Sequence, residues 1–158
     1  MFAAKSARRA LTLGSALVTT GMLSLVATPA PATASTVVLR ATVDCFNVNY
    51  SGDTSDWYPS SLSVFTSSPP TSTAVSSPVA NPAGHTFTFT QTLPSGATSV
   101  GVSALCSGGH QYDLYGSNGS VSIPAGTTTV TATWGCTTGP VYPGPWVTNC
   151  SAQSVSYS

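Results

Sequence analysis

Hydrophobic and polar residues alternate one by one along much of the chain. In "TVVLRATVDC" Val37, Leu39, Ala41, Val43 and Cys45 share one parity, and in "HTFTFTQTL" Phe87, Phe89, Gln91 and Leu93 alternate with Thr86, Thr88, Thr90 and Thr92. A period of two puts one set of side chains on a dry face and the other in water, which is the pattern of a half-buried strand. It returns in "SVGVSALC" (Val100, Val102, Ala104, Cys106), in "SVSIP" (Val121, Ile123) and in "TVTATWGC" (Val130, Ala132, Trp134, Cys136). Between these runs lie "SGDTSD", "SSPPTS", "NPAG", "LPSGA", "SGG", "SNGS" and "PAGTT", all rich in residues that favour turns or positive φ. No long window carries a capped helical stripe. The spacing predicts an all-β chain: a single antiparallel β-sandwich of about seven or eight short strands.

The first residues follow another pattern. Lys5, Arg8 and Arg9 precede a moderately apolar run from Ala10 to Val26, and "ATPAPATAS" offers Ala32-Thr33-Ala34 as a small-residue cleavage site before Ser35. We expect residues 1–34 to be a signal peptide and residues 35–158 to form the secreted, extracellular domain. The polar residues within the run and the prolines after it disfavour a retained membrane anchor. The Arg8-Arg9 pair hints at twin-arginine export, although Thr12 replaces the large apolar residue that such a motif prefers. The Ala/Thr/Gly-rich run suggests a bacterial source.

Setting the leader aside changes the charge. Arg40 alone stands against Asp44, Asp53, Asp56 and Asp113, formally −3, and the chain has no Glu. Nucleic-acid binding needs clustered Lys and Arg to displace phosphate counterions, so that class is excluded. Solubility falls to Ser, Thr, Asn and Gly, and the alternating Val, Phe and Trp positions argue for a packed core over disorder.

Cys45, Cys106 and Cys136 lie on the apolar parity of their strands, and Cys150 is the fourth cysteine. Four cysteines in a secreted chain normally form two disulfides, with three possible pairings. We favour Cys45–Cys106 across the core and Cys136–Cys150 at the base of "TTGPVYPGPWVTN". The spacing Cys45, Trp57, Cys106 resembles the Cys…Trp…Cys pattern of immunoglobulin-like domains, a resemblance that implies an immunoglobulin-like β-sandwich over residues 35–158.

Candidate chemistry is sparse. "CSGGH" resembles the cysteine-to-histidine loop of blue-copper proteins, which would make Cys106, His110 and the upstream His85 ligands. Against it, no Met follows Met22, and a thiolate at Cys106 would leave three cysteines in an oxidising compartment. Gly-x-Ser-x-Gly and His-Glu-x-x-His are both missing, and a Ser/His/Asp trio built on His110 and Asp113 reads better as a surface turn. Asn49, Asp53 and Asp56 in "NYSGDTSDW" lack the charge density of a dedicated calcium loop. We therefore expect neither cofactor nor enzymatic activity.

What remains is aromatic. Trp57 and Tyr58 sit in a polar stretch, Tyr112 and Tyr115 follow a Gly-Gly pair, and Tyr142 and Trp146 stand among prolines, whereas Trp134 has core parity. Amphipathic rings on rigid loops bind sugars or proteins without charge. The reading carried forward is a non-enzymatic binding module that recognises an extracellular polysaccharide or protein through Trp57, Tyr58, Tyr142 and Trp146. A turn at Pro143-Gly144-Pro145 would bring the last two rings to one side. The alternative is an inhibitor or structural surface protein that presents the disulfide-closed loop to a partner. Asn49, Asn118 and Asn149 begin glycosylation triplets that matter only in a eukaryotic host.

Protease behaviour follows from this composition. After residue 34 trypsin has only the bond after Arg40 to attack, so trypsin resistance reports nothing about folding. Phe, Tyr and Trp are spread along the chain, so the oxidised domain should resist a chymotrypsin-like protease. Rapid cleavage throughout its length, followed by mass spectrometry, would refute a packed fold.

Overall fold

Ten strands and one short 3-10 turn make up the computed structural model, which describes residues 35–45, 59–106 and 113–158. The expected leader, residues 1–34, lies outside them. The strands are β1 (Val38–Asp44), β2 (Ser61–Ser67), β3 (Pro70–Ala74), β4 (Val79–Asn81), β5 (Thr86–Thr92), β6 (Ser99–Leu105), β7 (Asp113–Asn118), β8 (Val121–Ser122), β9 (Thr129–Pro140) and β10 (Trp146–Tyr157). They form two sheets, ordered β4-β5-β1-β9-β10-β7 and β3-β2-β6-β8. The chain is all-β and sandwich-like.

The period-two runs become the inward faces. Val37, Leu39, Ala41, Val43 and Cys45 of the first run are buried, as are Val100, Val102 and Ala104 of β6 with Cys106 just after it, and Val130, Ala132, Trp134 and Cys136 of β9. Trp134 is the largest of the fully buried side chains, and its indole N–H is satisfied by donating to the Gly119 carbonyl at 2.7 Å. Gly119 also lies close against the β10 backbone, where a Cβ would stand 2.8 Å from the Cα of Ser151. β2, whose run "SLSVFTS" was not singled out from the sequence, adds Leu62, Val64 and the buried Thr66.

Two features correct the sequence expectation. Among the described residues the strand count is ten rather than seven or eight, because β3, β4 and β8 are short strands with little alternation and because β7 and β10 form where Gly and Pro suggested loops. The pairing is also mixed. β1 runs antiparallel to β5 but parallel to β9, and β10 runs parallel to β7. Local periodicity places a residue on a face and says nothing of the neighbour's direction.

Two stretches repeat each other at an offset of 30 residues: Leu93-Pro94-Ser95-Gly96-Ala97-Thr98-Ser99-Val100 through Cys106, and Ile123-Pro124-Ala125-Gly126-Thr127-Thr128-Thr129-Val130 through Cys136. In each, Gly takes positive φ (81° at Gly96, 85° at Gly126) and the next residue's N–H donates to the proline carbonyl, the type II turn pattern. The first turn carries the chain from β5 into β6, across to the four-stranded sheet, and the second carries it from β8 into β9, back to the six-stranded one. The cysteines that end the repeats each take a different partner. Cys45–Cys106 joins the two sheets, and Cys136–Cys150 joins neighbouring strands within one. This is the pairing favoured from the sequence.

The two bridges differ in span, with sequence separations of 61 and 14 residues. In the chain-entropy model they contribute about 4 and about 3 kcal/mol respectively. Denaturant titration of the paired Cys→Ala variants should therefore show the larger loss for Cys45/Cys106. Thiol labelling of the denatured, unreduced protein should find no free cysteine.

Candidate functional site

β9 and β10 form the longest hairpin, and one end of it runs past the end of β1, with β7 alongside β10 there. The last β1 rung, Asp44, pairs with Gly135, and β9 continues to Pro140 before the chain turns. The inner side of this extension is a ladder of three rungs: Cys136–Cys150, Thr138 opposite Thr148, and Pro140 opposite Trp146. The threonines are buried and share a hydrogen bond of 2.5 Å between their hydroxyls, and the Cys106 N–H donates to Thr148 Oγ1 at 3.4 Å. Buried hydroxyls paired this way satisfy one another, so a polar rung costs little inside the sandwich. On the outer side Asn149 Oδ1 accepts from the backbone N–H and the hydroxyl of Ser117, at 2.8 and 3.0 Å, which ties β10 to β7.

The turn itself is Val141-Tyr142-Pro143-Gly144-Pro145. It closes through the Val141 N–H donating to the Pro145 carbonyl at 3.1 Å and the Gly144 N–H donating to the Val141 carbonyl. Tyr142 is 99% exposed and Val141 51%. A nearly free ring on a turn held by a disulfide, a buried hydroxyl pair and two prolines is preorganised for contact, since little order remains to be lost on binding.

The anticipated site residues part company here. Trp146 is the first residue of β10, half-buried and packed against the core cluster, whereas Tyr142 stands clear of it. The span expected to be a loop, 137–149, is mostly strand, and only 141–145 turns. A ring at the strand's inward parity is drawn under the facing sheet, which sequence spacing across Pro-Gly-Pro does not reveal. Trp57 and Tyr58 lie outside the described residues, as do Tyr112, Asn49, Asp53, Asp56 and His110. Leu114 and Tyr115 on β7 are 43% and 46% exposed, and Tyr115 shares a 2.5 Å hydrogen bond with Ser61 at the start of β2. Leu114, which alternation alone did not flag, pairs in register with Val147.

The copper arrangement loses its central ligand. Cys106 is bonded to Cys45, so its sulfur is no thiolate. His85 takes a left-handed φ of 56° at the end of the 3-10 turn Pro82–Gly84, where its N–H donates to the Pro82 carbonyl at 3.1 Å and its carbonyl accepts from the Cys45 N–H at 3.0 Å. Among the described residues no three His, Cys, Asp or Glu side chains gather as a metal site, and no helix there is long and apolar enough to cross a membrane. Compared with protein families, curated proteins and solved structures, the chain shows no match.

The contrast between the two rings is measurable. Trp146→Ala removes partly buried aromatic surface and should cost about 1–3 kcal/mol of stability, less than truncation of a fully buried ring. Tyr142→Ala should leave stability within about 0.5 kcal/mol of wild type. Chemical denaturation of both variants checks the pair, and a large loss at Tyr142 would contradict the exposed placement.

Proposed function

We propose that the protein is a secreted, non-enzymatic binding module of the immunoglobulin-like β-sandwich class, which recognises an extracellular polysaccharide or protein surface through aromatic side chains. The observation that carries this reading is Tyr142, almost wholly exposed on the rigid tip of the β9–β10 hairpin. A large amphipathic ring held away from the core serves recognition better than packing. Two disulfides support an oxidising compartment, and the basic-then-apolar start of the chain supports export. The bridge between the two sheets supports the immunoglobulin-like class.

A secreted inhibitor or structural surface protein is the second reading, favoured by the same tip, since an exposed turn on a stiff shaft also suits insertion into a partner's cleft. Pull-down on insoluble cellulose, chitin and xylan separates the two. With a polysaccharide ligand, the binding-module reading expects retention on at least one polysaccharide and loss of most of it in Tyr142→Ala, each exposed ring being worth about 1–3 kcal/mol when buried by a ligand. Full retention of Tyr142→Ala would remove the tip from the binding surface.

A further inference from the structure

Arg40 is the sole cation after residue 34, and it stands near the middle of the outer face of the six-stranded sheet. Its register partners are Thr90 on β5 and Thr131 on β9, and the next rung on the same face is Thr88, Thr42 and Thr133. Strand spacing puts a threonine about 5 Å to either side of the Arg40 backbone. A groove of about 330 Å³ opens here, lined by Arg40, Thr88, Thr90 and Thr131 together with Ser77 and Val79. Val79 is 67% exposed. Ser77 holds a φ of 54°, one of two non-glycine residues with positive φ among those described.

Among the described residues the Arg40 guanidinium has no hydrogen-bond or ion-pair partner. The one acid on its own face of β1, Asp44, is four residues along the strand, about 13 Å away. An arginine that served structure would be paired, and one that served solubility alone would have no need of a groove lined by hydroxyls. A planar fork of donors fits a carboxylate through two parallel hydrogen bonds, and threonine hydroxyls both donate to and accept from the hydroxyls of a sugar ring. The formal charge of −3 opposes a dense polyanion, so the ligand suited to this groove is an isolated acidic sugar in an otherwise neutral glycan.

We propose that the groove on the outer face of β5, β1 and β9 binds a carboxylate-bearing sugar, with Arg40 on the carboxylate and Thr88, Thr90 and Thr131 on the ring hydroxyls. This site is separate from the hairpin tip, because Arg40 pairs at Thr131 and the turn begins at Val141, so it stands or falls independently of the reading above.

The test is a backbone-amide and arginine side-chain NMR titration with a disaccharide of one galacturonic acid and one neutral sugar, its methyl ester and acetate. The disaccharide should move the Arg40 Nε–H and the Thr90 and Thr131 amides, the uncharged ester should bind about tenfold more weakly or less, and acetate should bind more weakly than the disaccharide. Arg40→Gln, on an exposed position whose fold the same spectra verify, should weaken binding about tenfold, with Arg40→Lys between it and wild type. Equal binding of the methyl ester, wild-type affinity in Arg40→Gln, or shifts confined to residues 141–146 would each overturn the groove. Acetate binding as tightly as the disaccharide would overturn the assignment to a sugar.

Discussion

The bridge between Cys45 and Cys106 sets the geometry of the molecule, because it fastens the end of β1 in the six-stranded sheet to the end of β6 in the four-stranded one. Both cysteines stand on the inward parity of their runs, so the bridge continues the faces that bury Val43 and Ala104. It also fixes which end of the sandwich carries the projecting hairpin. β1 is parallel to β9, and beyond the point where β1 stops at the bridge β9 keeps β10 as its strand neighbour, while β7 flanks β10 on the other side. The Thr148 hydroxyl that accepts from the Cys106 N–H ties that hairpin back to the bridge.

A surface with so little charge needs other means of staying in water. Thr fills the outward positions of β5 and most of those of β9, and Ser is frequent on the outward face of β2 and β6. These hydroxyls hydrate the faces while their small size leaves the sheets smooth. Against that background two departures stand out physically: a ring with no core to cover it at Tyr142, and a guanidinium with no acid beside it among the described residues at Arg40. Each is a place where the residue type serves neither packing nor pairing. The proposed binding functions rest on those two departures rather than on any catalytic constellation.

The repeat between residues 93–106 and 123–136 gives the core its symmetry. Each copy enters through a glycine turn and leaves through a cysteine, and the two copies cross between the sheets in opposite directions. Val100 and Val130 occupy equivalent buried places, and so do Ala104 and Trp134. One small and one large side chain at matching positions suits two facing layers that must interdigitate.

Parity along the chain was enough to place Leu39, Val43, Val100, Val130 and Trp134 inside, because alternation is a local property of extended backbone and a one-residue error would put every one of them in water. The turns at Gly96 and Gly126 were legible for a similar reason, since positive φ is a matter of a single residue's sterics. Strand neighbours were not. Val38 meets Thr129 across 91 residues of chain, and nothing local to either says that their strands run parallel. The fate of the C-terminal rings was equally hidden: Tyr142 and Trp146 sit in one proline-rich stretch, and only the packed core decides that Trp146 lies against it while Tyr142, at the turn, has nothing above it but solvent.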